Sequence, residues 1–329
     1  MKRLLVILCS LSALLCSCGQ AEPDVIPSAT DTPVAVVMET PVTMPPAVES
    51  EAAALVEAPP PAVSTVLVAE PSGEQEARCD DVVIDYSHTE DGYIMARFMG
   101  QTEKRLKFRV IGPTTVYTYN LPLNQWTVFP LSDGNGSYQA AVYINTHDSK
   151  YALVMTAQFE VTLVDEFAPF LRPNQYVDYA DAPDTVAKGA ELCAGLEHPL
   201  EKVAAVYDFT VDNLAYDYDR AAPVKSGYLP VVDEVRPEKQ GICFDYAALM
   251  TAMLRSQEVP CKLVVGYADS IYHAWISVWT EEDGWVDGAI FFDGSVWKRM
   301  DPTFASSNYR SDEIMDFIEH GTYTVKYLY

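Results

Sequence analysis

The sequence has few cations and no apolar run long enough to cross a membrane. Of its 329 residues, 22 are Lys or Arg and 47 are Asp or Glu, which gives a net charge of −25. Binding to nucleic acid or to an anionic membrane surface needs clustered cations, so this composition argues against both. The longest broadly apolar run, residues 4–15, is shorter than the roughly 20 residues that a transmembrane helix needs.

The N-terminal quarter of the sequence has no aromatic residue. The first one in the chain is Tyr86. Between Cys18 and Arg78 there are ten acidic residues, ten prolines and no cation before Arg78 itself. A segment of this composition cannot bury enough apolar surface to offset the chain entropy lost on folding. We therefore predict a disordered, Pro/Glu-rich tether over residues 18–78, followed by a folded body from residue 79.

The N-terminus has the pattern of an export signal, with Lys2 and Arg3 before the apolar run. Leu15-Cys16-Ser17-Cys18 resembles the lipobox of bacterial lipoproteins. In that family the cysteine is lipidated and becomes the mature N-terminus. The resemblance implies a signal peptide over 1–17 and lipidation of Cys18. The protein would then be exported and held by its lipid anchor alone at the outer face of the bacterial cell membrane.

Short segments typical of β-strands recur through the first part of the folded body. They alternate apolar and polar residues or are rich in β-branched and aromatic residues, and turn residues separate them. The segments are 82–84, 93–98, 105–110, 115–119, 138–144 and 159–163. This spacing predicts an antiparallel β-sandwich over residues 79–166, of immunoglobulin-like type, with no catalytic group of its own.

Residues 167–329 contain helical patterns first and strand patterns afterwards. Apolar residues at helical spacing predict helices over 199–214 and 243–256. Apolar runs predict strands over 262–268, 273–280, 285–292 and 297–300. Together with the sandwich, this order predicts an α+β fold with a second domain of helices and antiparallel strands.

Cys243 follows Gly241 and Ile242 and begins the second of these helices. At a helix N-terminus the unpaired amide groups and the helix dipole favour negative charge, so a thiol there is stabilised as the reactive thiolate. The alternative interpretation is a small buried hydrophobic residue, which describes most free cysteines.

A cysteine nucleophile needs a base, and the base needs a group that orients it. His273 lies 30 residues after Cys243 in an apolar strand, and Asp301 lies 28 residues further on, before Pro302. These three residues form a complete nucleophile, base and orienting set in one domain. Asp287 is a second, lower-ranked choice for the orienting residue.

Four separate motifs resemble the transglutaminase-like superfamily, within the broader papain-like cysteine enzymes, over about residues 180–310. They are Gly241-Ile242-Cys243, the segment 259–267, His273-Ala274-Trp275, and Trp297 with Asp301-Pro302-Thr303. The resemblance implies Cys243 as nucleophile, His273 as general base and Asp301 as the orienting residue. It requires no metal and no organic cofactor.

The sequence departs from the family in three respects: Cys261 stands where a small residue is common, the 28-residue gap from His273 to Asp301 is long, and no Trp lies between Trp126 and Trp275 to stabilise an oxyanion. The backbone N–H of Cys243 can supply one donor, and Tyr216 or Gln240 is the candidate for the second. Loss of that Trp puts specificity for amine transfer in doubt.

These residues predict attack on amide bonds of a peptide or protein through a thioester, with hydrolysis favoured over cross-linking. The competing hypothesis is a catalytically silent surface binding module with the same fold. A solute-binding lipoprotein is a third hypothesis, and it would need no reactive thiol. Among the other cysteines, Cys79 and Cys193 could pair, but we expect free thiols.

Overall fold

The computed structural model describes residues 59–221, 224, 227–282, 284–287, 290–292, 297–299, 301–303 and 320–329. The expected signal peptide, Cys18 and the tether up to residue 58 lie outside the described residues. Within these ranges, no helix is long and apolar enough to cross a bilayer.

The N-terminal part of the body consists of eight strands. They are β1 (Glu76–Arg78), β2 (Val82–Asp85), β3 (Tyr93–Phe98), β4 (Leu106–Ile111), β5 (Val116–Asn120), β6 (Thr127–Pro130), β7 (Gly136–His147) and β8 (Lys150–Val161). They form two antiparallel sheets, with the orders β1-β2-β3-β6 and β5-β4-β7-β8.

The two sheets pack against each other through the apolar positions of their strands. Alternate residues of β4 are buried, as its period-two pattern requires. Phe108 of β4 stacks on Phe129 of β6 with 4.0 Å between ring centroids, and Tyr119 of β5 contacts the same ring at 5.1 Å. The predicted antiparallel sandwich is confirmed, whereas its immunoglobulin-like type stays a prediction.

The prediction of a tether up to residue 78 was wrong for its last twenty residues, because 59–78 contacts the body. The backbone N–H of Ala62 donates to the carbonyl of Ala190 at 2.9 Å, and that of Thr65 donates to Ser256 at 2.8 Å. Residues 76–78 form β1, which pairs with β2. Composition could not show this, because the segment is held by contacts with distant residues: Ala62 and Val66 pack against the core, and Thr65 hydrogen-bonds to Glu258.

The rest of the chain mixes helices and strands, which confirms the α+β prediction. A 3-10 turn covers Ala168–Phe170. The helices are α1 (Pro183–Leu192), α2 (Pro199–Asn213), α3 (Tyr218–Ala221), α4 (Val232–Glu238) and α5 (Cys243–Ser256). The strands are β9 (Ala215–Tyr216), β10 (Gln240–Gly241), β11 (Cys261–Ala268), β12 (Ile271–Thr280), β13 (Gly284–Asp287), β14 (Ile290–Phe292), β15 (Trp297–Arg299) and β16 (Tyr323–Leu328).

Helix α5 lies at the centre of this second unit. Every residue from 245 to 256 is buried, although the sequence pattern suggested only one core face. The reason is that α1, α2, α4, β11 and β12 all contact α5. The antiparallel sheet beside it has the order β13-β12-β11-β16.

Several elements of this unit differ from the prediction. The unpredicted elements are α1, α3, α4, β9, β10 and β16. The predicted single strand over 285–292 is two strands, because β13 pairs with β12, whereas β14 pairs with β15 in a separate sheet. The chain changes pairing partner between residues 287 and 290, which a run of apolar and aromatic residues cannot reveal.

The sandwich and the second unit meet at a cluster of tyrosines. Tyr329 contacts Tyr119 of β5 and Tyr176, with centroids 5.9 and 4.3 Å apart. Next to this cluster, the fully buried Arg255 donates hydrogen bonds to three carbonyl oxygens, those of Arg172, Cys261 and Tyr329. These bonds fix the strands that carry the candidate site against the end of α5.

Candidate active site

Cys243 is the first residue of α5, where the backbone turns from an extended strand into the helix. Ile242 is the N-cap, with φ −92° and ψ 173°, and Cys243 itself is half-buried. The preceding Gly241 has no room for a side chain, because an added Cβ would lie 2.7 Å from the Cβ of Asp245. The Cys243 thiol lies at the N-terminus of α5, where the first amide groups have no partner within the helix.

His273 lies on β12 with 3% of its surface exposed and pairs with Gly266 of β11. An added Cβ at Gly266 would collide with the carbonyl of Thr324 and would lie 2.8 Å from the Trp275 ring. The glycine therefore allows β16 and the Trp275 ring to come close. The Trp275 ring is nearly parallel to the His273 ring, with centroids 6.2 Å apart.

Asp301, also 3% exposed, accepts hydrogen bonds on both carboxylate oxygens. Its Oδ2 lies 2.6 Å from Nε2 of His273. The Thr303 N–H donates to Oδ1 at 3.0 Å, and the Tyr323 hydroxyl donates to Oδ2 at 3.4 Å. Sequence reasoning missed Tyr323, which comes from β16, a strand that it did not predict.

The Cys243 thiol also interacts with His273 and contributes to the rise in its pKa. Since Nε2 is engaged by Asp301, Nδ1 is the ring nitrogen left for the thiol. Burial lowers the pKa of His273, but the charge and hydrogen bond of Asp301, with further contributions from Cys243, outweigh burial and raise it to about 10. The imidazole of His273 thus lies against the Asp301 carboxylate and interacts with the Cys243 thiol.

The two candidate oxyanion residues differ in position. Tyr216 on β9 pairs with Gly241 on β10, and burial together with the nearby Cys243 raises the pKa of its hydroxyl. Gln240 also lies on β10, but its side chain is exposed. An exposed amide is poorly suited to stabilise charge at a reaction centre that excludes water. The structure therefore favours Tyr216 over Gln240.

The second choice for the orienting residue, Asp287, pairs through its backbone with Ser277 of β12. Its side chain lies outside the described part of the structure. Asp301 is therefore the carboxylate whose contact with His273 the structure describes.

The four cysteines of the described body are free thiols: Cys79, Cys193, Cys243 and Cys261. Cys79 is exposed, and it does not pair with Cys193. Burial raises the pKa of both Cys193 and Cys261 to about 11. Among the described residues, no group of three or more His, Cys, Asp or Glu could hold a metal ion.

A cysteine at a helix N-terminus, together with a strand histidine that contacts an aspartate, is the type of arrangement found in cysteine enzymes. Residues 187–288 match the family model of the transglutaminase-like superfamily. The matched segment includes Cys243 and His273, and it ends before Asp301. The chain therefore contains a transglutaminase-like domain.

Solved structures that resemble the chain include a provisionally assigned cysteine protease from Cytophaga hutchinsonii, with 17% identity and a TM-score of 0.33. A provisionally assigned protease from Parabacteroides distasonis has 10% identity and a TM-score of 0.27, and red sea bream transglutaminase has 14% and 0.28. The matches cover 64%, 60% and 71% of this chain and 78%, 61% and 56% of those chains, respectively. No curated protein is significantly similar to the chain.

Proposed function

We propose that this protein is a cysteine enzyme that cleaves amide bonds of peptides or proteins through a thioester. One observation carries the proposal: Nε2 of His273 lies 2.6 Å from Oδ2 of Asp301, and the same ring interacts with the Cys243 thiol. A thiol, a base and a carboxylate in this order form the working unit of acyl-transfer enzymes that use cysteine. Cys243 is the nucleophile, His273 the general base and acid, and Asp301 the orienting residue.

The reaction begins when the Cys243 sulfur attacks the carbonyl carbon of the amide, after its proton has passed to His273. The C–N bond then breaks, His273 returns the proton to the leaving amine, and a thioester remains on Cys243. In the second half, His273 takes a proton from water, whose oxygen attacks the thioester carbonyl. A carboxylic acid leaves, and the thiol is regenerated.

The negative oxygen of each tetrahedral intermediate needs hydrogen-bond donors that are already in place. The amide of Cys243 is one donor, because it belongs to the first turn of α5. The Tyr216 hydroxyl is the second, since Tyr216 lies beside Cys243 and burial keeps its phenol protonated. This assignment replaces the tryptophan that transglutaminases proper use.

Water and an amine compete for the same thioester, and we propose that water is the usual acceptor. Support comes from the missing upstream tryptophan between Trp126 and Trp275. Peptide or protein chains are the proposed substrates, because a half-buried thiol at a helix N-terminus can accept an extended chain without further cofactors.

Incubation of the protein with N,N-dimethylcasein and a fluorescent primary amine separates the two reactions. We expect new casein termini by mass spectrometry and little incorporated amine. Cys243→Ala should abolish cleavage, whereas Cys79→Ala, which removes an exposed thiol of the sandwich, should leave it unchanged. Amine incorporation without new termini would identify a cross-linking enzyme. The absence of both new termini and incorporated amine would favour the silent binding module.

We further propose that Cys18 is lipidated and that the body acts at the outer face of the bacterial membrane. The lipobox-like segment Leu15 to Cys18 and the acidic, proline-rich segment after it support this location. Mass spectrometry of the mature N-terminus should find an acylated Cys18, and Cys18→Ala should release the protein or leave it as a precursor. An unmodified N-terminus elsewhere would contradict the anchor and leave the enzyme proposal intact.

A further inference from the structure

A second carboxylate, Asp245, lies two residues after the nucleophile and is completely buried. It is not part of the set formed by Cys243, His273 and Asp301. Its Oδ2 accepts a hydrogen bond from the backbone N–H of Ile242 at 2.8 Å. Asp245 therefore spans the residues on both sides of Cys243, from the N-cap to the first turn of α5.

The other contacts of Asp245 come from the segment between β9 and α4. The Tyr228 hydroxyl donates to Oδ1 at 2.6 Å, and the Arg220 guanidinium lies 3.8 Å from Oδ2. Arg220 in turn holds Glu238 at 2.8 Å and Asp217 at 3.4 Å. We refer to Asp245 with Ile242, Tyr228 and Arg220 as the Asp245 network.

This network also reaches the candidate oxyanion residue. The backbone N–H of Asp217 donates to the carbonyl of Gly241 at 2.9 Å, directly after Tyr216 in the chain. Gly241 packs so tightly on Asp245 that no side chain fits between them. A shift of Asp245 would therefore move both the turn that carries Cys243 and the strand that carries Tyr216.

The charge of Asp245 by itself opposes the nucleophile, because a carboxylate near a thiol disfavours the thiolate. Burial raises the pKa of Asp245, and the bonds from Tyr228, Ile242 and Arg220 offset part of that rise. A carboxylate at this place must therefore serve another purpose than activating the thiol. Its two oxygens accept hydrogen bonds from Ile242 and Tyr228 and face the Arg220 guanidinium, so Asp245 holds different segments of the chain in place.

We propose that Asp245 is a positioning residue, and that its hydrogen bonds from Ile242 and Tyr228 and its ion pair with Arg220 fix the orientation of Cys243 toward His273. This inference rests on the proposed function. The positioning role and the charge of Asp245 predict opposite changes in the reactivity of Cys243. Removing the negative charge alone should make Cys243 more reactive, whereas removing its support should make Cys243 less reactive.

The test is the burst of nitrophenolate from the full chain with p-nitrophenyl acetate, whose acetyl group passes to Cys243. An asparagine at position 245 cannot accept both the Ile242 and Tyr228 hydrogens. We expect Asp245→Asn to lower the limiting acetylation rate on the order of 100-fold without changing the half-saturating concentration. Tyr228→Phe removes one bond to a charged acceptor and should lower the rate about ten-fold.

Two variants in the sandwich match these changes. Asp85→Asn alters a buried carboxylate that accepts backbone hydrogen bonds from Gly73 and Ser87. Tyr138→Phe removes a hydroxyl that donates to Gly134 at 2.8 Å. Both should lower the thermal midpoint and leave the acetylation rate unchanged, which separates positioning from a general loss of stability.

The outcomes distinguish this inference from the function on which it rests. If the unaltered protein shows no burst at Cys243, the proposed function fails. If it shows a burst that Asp245→Asn or Tyr228→Phe leaves equal or faster, the function stands and the positioning role is wrong. Should Asp245→Asn fail to fold, Tyr228→Phe decides alone.

Discussion

Nε2 of His273 lies 2.6 Å from Oδ2 of Asp301, although 28 residues of chain separate them. Both side chains are 3% exposed, so water does not replace this contact, and loss of either partner would leave the other buried without its opposite charge. Thr303 and Tyr323 hold the same carboxylate. Asp301 therefore holds the imidazole of His273 through Nε2.

Asp301→Asn should reduce amide cleavage by roughly 100-fold or more, since an amide cannot stabilise the imidazolium and can select the wrong tautomer. Initial rates of casein cleavage at several substrate concentrations check this expectation. Asp85→Asn is the matched control, because it alters an equally buried carboxylate in the sandwich. A rate for Asp301→Asn within two-fold of the unaltered protein would remove Asp301 from the mechanism.

Tyr323→Phe removes one of the three donors to Asp301 and leaves the ring contact with Trp275 in place. The bond is long, at 3.4 Å, so we expect a loss of about two- to five-fold in the cleavage rate. The same assay applied to Tyr138→Phe gives the effect of a lost tyrosine hydroxyl far from the site. Equal rates in the two variants would show that Tyr323 does not support Asp301.

The His273–Asp301 pair should make stability depend on pH above neutrality. The pKa of His273 rises from 6.5 in the unfolded chain to about 10 in the folded protein. Its contribution is then fully present below pH 6.5 and is lost as pH rises through about 10. Urea unfolding of the unaltered protein and of His273→Asn checks this across that range. The stability difference between them should shrink with rising pH, and a constant or growing difference would contradict the assigned charge.

Gly266→Ala should destabilise the sheet beneath His273, because the added Cβ would collide with the Thr324 carbonyl and crowd the Trp275 ring. Overpacking of this kind costs about 1–3 kcal/mol. Gly134→Ala is the control, since its φ of +76° is strained for alanine but its surroundings are open. Chemical denaturation should show the larger loss at Gly266. Equal losses of stability in the two variants would mean that β11 and β16 make room for the added Cβ without destabilising the sheet.

The sequence predicted the site better than its surroundings. Cys243 begins α5 at the predicted residue, and β12 carries His273 as the apolar run indicated. Local patterns suffice there, because a helix start and a strand depend on neighbouring residues. The pairing of His273 with Asp301 was predicted from the chemical need of a cysteine nucleophile for a base and an orienting carboxylate, and from the family resemblance, since no local pattern encodes a contact across 28 residues.

The parts that the sequence analysis missed depend on contacts between distant segments. Strand β16 alternates only weakly, with burial from half-buried to exposed, and its place is set by pairing with β11. For that reason Tyr323 could not be connected with Asp301. The segment 59–75 is held by backbone hydrogen bonds to Ala190 and Ser256 and by packing of Ala62 and Val66 on the core, contacts that composition does not record.

The most direct test of the account is the site of acetylation by p-nitrophenyl acetate, read by peptide mapping of all four body thiols. Cys79 is exposed and serves as an internal reference, while burial and a pKa of about 11 should keep Cys193 and Cys261 slow. We expect acetylation of Cys243 well before that of Cys79, and a lower rate of Cys243 acetylation in His273→Ala. Acetylation of Cys243 no faster than Cys79, and unchanged by His273→Ala, would make Cys243 a packing residue and contradict the enzyme.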